Sequence, residues 1–386
     1  MIEIIKIESK RILSKEKFLL FLAIVFLFSV CSTYISLRGY MVPDIDGIAI
    51  TWQENLAHAK KNLQGKNIDR ELIESVRQRE NFIYVDENSL EEIVRLNYEG
   101  ESIRKLTDAE VGSFYQTRLS RIRTMLEENQ YIQYTQEEED HFLQKAKELS
   151  EIPFGYAEGW KTLNRDMGIF VPLLFIVISV LLLPLFGTDP KVSMNELYRS
   201  SKYGKNPLDT ARILTAFIVG IALYALGMIL FFAIKMMPFG LDGGTQYIQS
   251  NMTTFFSLYN ITYLQQYFIN VTIGCIALLF VICLLLFITI VMEKIMNSAV
   301  VFTFFWITLL LFDQMYLWHV NHYFANFMPL RMTSFSHYYI GNEIYRICGY
   351  TLSCMTWSIL LSSLLAGILL LSAIGWEKVK RKKGLY

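Results

Sequence analysis

The sequence predicts an all-α polytopic membrane protein with six transmembrane helices and a mostly helical extracellular domain inserted between the first two. Three observations predict it. Six stretches of about 18 or more residues carry almost no charge, and each is long enough to cross a hydrocarbon layer of about 30 Å. Outside one long polar segment, basic residues gather at alternate ends of those stretches. That segment, 38–166, repeats apolar residues every three to four positions, as amphipathic helices do. The overall share of hydrophobic residues, 53%, stands only a little above that of soluble proteins, so the distribution decides the class.

Residues 1–17 mix isoleucines with lysines. Ile2, Ile5, Ile12 and Leu13 could share one face of an amphipathic helix lying at the inner membrane surface. The alternative is a plain basic lead-in to the first span, because Ile4 and Ile7 break the stripe. Span 1 is expected at 18–37. No A-x-A cleavage site follows it, so it reads as an uncleaved span. The extracellular domain then takes 38–166. Ser89 with Glu92, Thr107 with Glu110 and Thr135 with Glu138 have capping-box spacing, which satisfies free N–H groups at helix starts. The five cysteines lie in or beside the spans, so the domain does not rest on disulfides.

Span 2 is expected at 169–186, span 3 at 213–234, span 4 at 268–292, span 5 at 298–318 and span 6 at 351–376. Each must be helical, because lipid offers no partner for open backbone groups. A polar cytoplasmic loop occupies 187–212, an extracellular loop 235–267, and a basic cytoplasmic tail 377–386. Residues 319–350 are too polar to span and too oily for an ordinary loop. Short re-entrant or interfacial helices fit them.

Charge sets the orientation. The domain carries 17 Lys and Arg against 25 Asp and Glu, a net of −8, and the rest of the chain has a net of +8. Outside the domain, 16 of 19 basic residues fall in the two termini, the 187–212 loop and Lys294, which share one side if there are six spans. Lys235, Arg331 and Arg346 remain opposite. Positive charge near span ends marks the cytoplasm. Both termini are therefore expected inside.

Several chemistries are missing from the sequence. There is no G-x-x-x-x-G-K-[ST], no H-E-x-x-H and no G-x-S-x-G, which argues against ATP held in a P-loop, a zincin site or a serine-hydrolase elbow. Glu137 to His141 reads as an acidic first helical turn, favoured by the helix dipole. His319 and His322 read as interfacial polar residues. Asp313, near the outer end of span 5, either reaches the headgroups or faces a cavity or partner.

The loop between spans 2 and 3 holds the most specific signal. Pro207 can open a helix that runs into span 3, and Gly204 allows a turn before it. Tyr198 and Tyr203 stand beside Arg199, Lys202 and Lys205, the aromatic and cationic anchors that a docking surface uses. Glu196, then Ser200-Ser201-Lys202-Tyr203-Gly204 and Lys205, leading to Ala211-Arg212, resembles the first cytoplasmic loop of ABC transporter permeases of the type-2 exporter family, Gram-positive type. The layout of spans around a large outer domain is similar too. Leu197-Tyr198 stands where family members often carry Gly-Thr.

That resemblance implies a permease subunit without catalytic residues or metal site of its own, in a Gram-positive plasma membrane. The coupling residues would be Glu196, Tyr198, Arg199, Lys202, Tyr203, Gly204, Lys205 and Pro207, docked on separate ATPase subunits that hold ATP and Mg. A second permease chain, identical or related, would complete the path. Candidate path residues are Ser29, Ser32, Thr33, Ser179 and Asp313. Cargo in the family includes peptides, antibiotics and lipids. No nucleic-acid partner is expected. The competing reading is a receptor or accessory protein that senses a peptide through its acidic domain. A membrane-embedded enzyme finds no paired catalytic side chains in the spans.

Overall fold

The computed structural model describes residues 2–45, 48–63, 65–79, 82–185, 206–292, 294–315 and 317–382. Among them six helices are long and apolar enough to cross a membrane: Lys15–Arg38, Glu158–Leu185, Leu208–Phe239, Tyr263–Met292, Ile295–Gln314 and Cys354–Lys380, taken here as spans 1 to 6. The described residues are all-α apart from two small hairpins, Val42–Ile45 with Ile48–Ile50 and Ile344–Ile347 with Tyr350–Ser353. The second turns through Cys348 at φ 49° and Gly349 at φ 83°. Two left-handed residues suit the tight reversal whose twist matches the strands it joins.

The helices depart from the hydropathy limits where polar residues are buried in protein. The helix of span 2 starts at Glu158, well before residue 169, because Glu158, Thr162 and Asn164 are buried against neighbouring segments. A hydropathy window reads such residues as water-facing. Span 3 belongs to a helix that runs Asn206–Phe239, longer at both ends than 213–234. Span 5 ends at Gln314 rather than 318, and span 6 starts at Cys354 after the hairpin's second strand. Residues 318–340 form short helical pieces, including a π-turn at Asn321–Ala325.

Spans 2 and 4 form the centre, each 61% buried in its most apolar window, whereas span 5 is 17% buried there. Phe170 stacks on Phe231 with centroids 4.2 Å apart, and Phe28 reaches Phe170 from span 1 at 5.5 Å. Gly227 lets spans 2 and 3 approach: a Cβ there would lie 2.8 Å from Leu174 Cδ2. Without a hydrophobic drive between helices in lipid, such close packing supplies the association energy.

The domain is helical: Trp52–Asn62, Arg70–Arg77, Val85–Asn97, Asp108–Gly112, Phe114–Glu127 and Gln136–Glu148. Thr107 with Glu110 and Thr135 with Glu138 form capping boxes, and so does Thr51 with Glu54, a pair that the sequence reading missed. Ser89 and Glu92 do not. They sit inside a helix that begins at Val85, where Glu87 accepts from Ile83 N and Tyr84 N. The earlier carboxylate satisfies the free amides, so the later box has nothing left to cap.

The domain core is completed by the loop between spans 3 and 4. Phe255 joins Ile73, Leu90, Ile93, Val94, Phe114 and Ile152, and Leu258 joins Ile122, Leu126, Leu143 and Ala146. Arg118, fully buried, donates from Nε and Nη2 to Phe255 O at 3.1 and 3.0 Å. Gly243, at φ 87°, allows this loop to lie directly on Tyr156 O, where any Cβ would clash. The hairpin before span 6 is tied on as well: Arg346 meets Glu138 Oε2 at 2.6 Å and Oε1 at 3.0 Å.

Candidate functional site

At one end of the bundle the helix Ile2–Ile12 lies under the helices that flank the 187–205 stretch. Its Glu8 is buried and accepts from Arg212 Nε at 3.3 Å and pairs with Arg11 at 2.7 Å. Arg11 Nη2 also donates to Pro184 O and Leu185 O, at 3.4 and 3.2 Å. One short helix therefore holds the last turn of span 2 and the first turns of span 3. The tail is a helix with Ile12 buried against the bundle. Glu196, Tyr198, Arg199, Lys202, Tyr203, Gly204 and Lys205 lie outside the described residues. Pro207 falls in the first turn of the helix Asn206–Phe239.

The candidate path residues divide into three groups. Ser29 and Thr33 are buried and donate to carbonyls one turn back, Val25 O at 2.6 Å and Ser29 O at 2.7 Å. Ser179 is buried within span 2. Asp313 pairs with Arg331 Nη1 at 3.1 Å and lines an apolar cavity of about 440 Å³ beside span 5. Ser32 joins a charged cluster.

That cluster ties spans 1, 2 and 3 together. Lys235 Nζ, whose side chain has no exposure, donates to Asp166 Oδ2 at 2.6 Å, Ser36 Oγ at 2.7 Å and Ser32 O at 3.1 Å. Ser32 Oγ donates to the same carboxylate oxygen at 2.7 Å. Arg165 Nε takes Asp166 Oδ1 at 2.8 Å. Both carboxylate oxygens accept from strong donors, which a buried ion pair needs if it is not to cost stability. The sequence reading named only Ser32 of this group. One signal pointed toward it: outside the domain, Lys235, Arg331 and Arg346 are the three bases that do not group with the other sixteen. Each proves to have a carboxylate partner, Asp166, Asp313 and Glu138.

Beside the cluster, between domain and spans, opens a second cavity of about 630 Å³ with a mixed polar and apolar lining. The start of span 2 supplies Glu158, Lys161 and Arg165, the domain Glu92, and the start of span 4 Gln266. Tyr40 OH donates to Glu158 Oε2 at 2.7 Å and Lys161 Nζ to Oε1 at 2.8 Å, so Glu158 is held from both sides.

A separate contact joins the domain to the short helical pieces after span 5, to the second hairpin and to span 6. Tyr131, Trp318, His322 and Tyr345 stack in sequence, with centroids 4.9, 4.6 and 4.2 Å apart, and Trp357 of span 6 follows at 5.5 Å. His322 is thus a buried element of a ring stack. Among the described residues no group of three or more His, Cys, Asp and Glu could hold a metal ion. No protein-family model, curated protein or solved structure matches the chain.

Proposed function

We propose that the chain is the permease subunit of an ATP-driven exporter of the ABC type-2 class, moved by a separate ATPase that docks on the 187–212 loop. The observation that carries this reading is the hold of one N-terminal helix on both flanks of that loop, through Arg11 on Pro184 O and Leu185 O and through Glu8 on Arg212. A load applied to the loop cannot be absorbed by independent swinging of its two ends. It passes into spans 2 and 3 together, which the Asp166–Lys235 pair and the Phe170–Phe231 stack join further along. Gln246 and Phe239 continue the connection to the domain, through Gly155 N and Tyr156 OH.

In this reading the termini face the cytoplasm and the domain faces outward, across the cell membrane of a Gram-positive bacterium. ATP and Mg sit on the partner ATPase. A second permease chain covers the exposed faces of spans 1 and 5, where Leu19, Phe26, Phe304 and Leu311 are open. Cargo is of the peptide, antibiotic or lipid kind. The alternative, a receptor that senses a peptide through its domain, draws support from the cavity between domain and spans. The test is co-expression with the ATPase encoded beside the chain and pull-down in detergent. The proposal expects the ATPase to co-purify with wild type and to be lost from the Lys202→Glu, Tyr203→Asp double variant. Absence of ATPase from the wild-type pull-down would move the receptor reading ahead.

A further inference from the structure

The cavity between the domain and the spans has a directional lining. Lys161 and Arg165 are four residues apart and so share one face of the span 2 helix. The Lys161 side chain is only 10% exposed, and among the described residues its ammonium has one acceptor, Glu158 Oε1. Glu158 already receives the Tyr40 hydroxyl. Arg165 lines the cavity and spends Nε on Asp166 and one Nη2 hydrogen on Ser36, which leaves its Nη1 without an acceptor among the described residues. Two cations with spare donors therefore face one space. Phosphate oxygens are the acceptors that such a pair suits best.

Two further features narrow the ligand. Glu92 enters the cavity from the domain, where Lys161 is among the charges it interacts with at longer range than a contact pair. A carboxylate beside two cations, without a hydrogen-bonded partner of its own among the described residues, favours a ligand with a positive end as well as a negative one. Beyond Arg165 the same helix face turns apolar and stays open: Ile169 is 68% exposed, and Ile176 and Val180 continue the line with Leu173 between them. This stripe begins at the cavity and runs along span 2. A hydrocarbon chain leaving the cavity would lie on it without entering water. The volume of about 630 Å³ is ample for a headgroup.

We propose that this cavity binds the headgroup of an aminophospholipid, with its phosphate on Lys161 and Arg165, its ammonium on Glu92 and an acyl chain along Ile169, Leu173, Ile176 and Val180. The site is separate from the loop that would dock an ATPase, so it stands whether or not the exporter reading does. Its occupant would bridge the domain and span 2 and so bias how firmly the two are joined.

The test is a binding titration of the full chain in mild detergent with phosphatidylethanolamine labelled on one acyl chain. The competitors are unlabelled phosphatidylethanolamine, phosphatidylglycerol and water-soluble phosphoethanolamine. Phosphatidylethanolamine is expected to displace the label at a concentration roughly tenfold below phosphatidylglycerol, the worth of one charge-assisted contact. Arg165→Gln and Lys161→Met should each weaken binding by roughly tenfold or more, and Glu92→Gln should erase the preference between the two lipids. Equal competition by phosphatidylglycerol in wild type overturns the ammonium assignment. Equal competition by phosphoethanolamine overturns the acyl track. Unchanged affinity in Arg165→Gln and Lys161→Met overturns the site. Should Lys161→Met fail to fold, Arg165→Gln and Glu92→Gln, both at exposed positions, decide it alone.

Discussion

Lys235 and Asp166 meet at 2.6 Å between spans 3 and 2, with the lysine side chain wholly buried and the serines of span 1 closing the cluster. Removing Lys235 still leaves Asp166 its Arg165 partner, whereas removing Asp166 leaves Lys235 as a buried, uncompensated charge. Asp166→Asn should therefore lower stability by about 3–5 kcal/mol, whereas Asp166→Asn with Lys235→Met should recover most of the loss. Thermal unfolding in detergent measures both. A double variant no better than the single would show that the pair contributes by packing alone.

The Glu138–Arg346 contact should give the domain an acid-sensitive attachment. Hydrogen bonding from Arg346 pulls the Glu138 carboxyl from its ordinary 4.5 down to about 2, with Thr135 N helping. The folded value is the depressed one. The contribution is thus complete above about pH 4.5 and is lost as pH falls from there through about 2. Wild type should lose more melting temperature than Glu138→Gln over that interval. Parallel curves for the two proteins would remove the pair from the account.

Arg118 holds the loop between spans 3 and 4 inside the domain. Burial lowers its guanidinium to about 10, so it remains charged at neutral pH. Arg118→Met leaves Phe255 O without its two donors, at a cost of about 1–3 kcal/mol. Amide exchange should quicken across 252–258 and stay unchanged through the middle of span 4. Full protection of 252–258 in the variant would contradict this.

The ring stack through Trp318, His322 and Tyr345 predicts a contrast between two substitutions. His322→Ala breaks two stacked contacts, each worth about 0.5–1.5 kcal/mol beyond burial. His322→Phe keeps both. Thermal unfolding should separate the two variants by the sum of the two contacts, about 1–3 kcal/mol. If phenylalanine is as damaging as alanine, the imidazole near Glu343 matters more than the stack.

The N-terminal helix makes a prediction tied to the exporter proposal. Glu8→Ala frees Arg212 from the helix that also holds Pro184 and Leu185. Transport should fall several-fold while the ATPase still co-purifies. Undiminished transport would show that the helix is no part of the coupling.

The sequence by itself determined the number of long apolar helices, since the length of an uncharged run is a property of the chain and not of its neighbours. It also determined the helical character of the domain and two of its three expected helix starts, because a capping box acts within four residues. The three unplaced bases, Lys235, Arg331 and Arg346, were visible as exceptions, though not their partners. Only the tertiary structure paired them with Asp166, Asp313 and Glu138, at separations of 69, 18 and 208 residues. It alone extended span 2 back to Glu158, inserted Phe255 and Leu258 into the domain core, and opened the cavity at Lys161 and Arg165. The physical reason is common to all of these. Hydropathy and capping depend on near neighbours in sequence, whereas a buried charge or a borrowed core residue is stabilised by groups that only folding brings within reach.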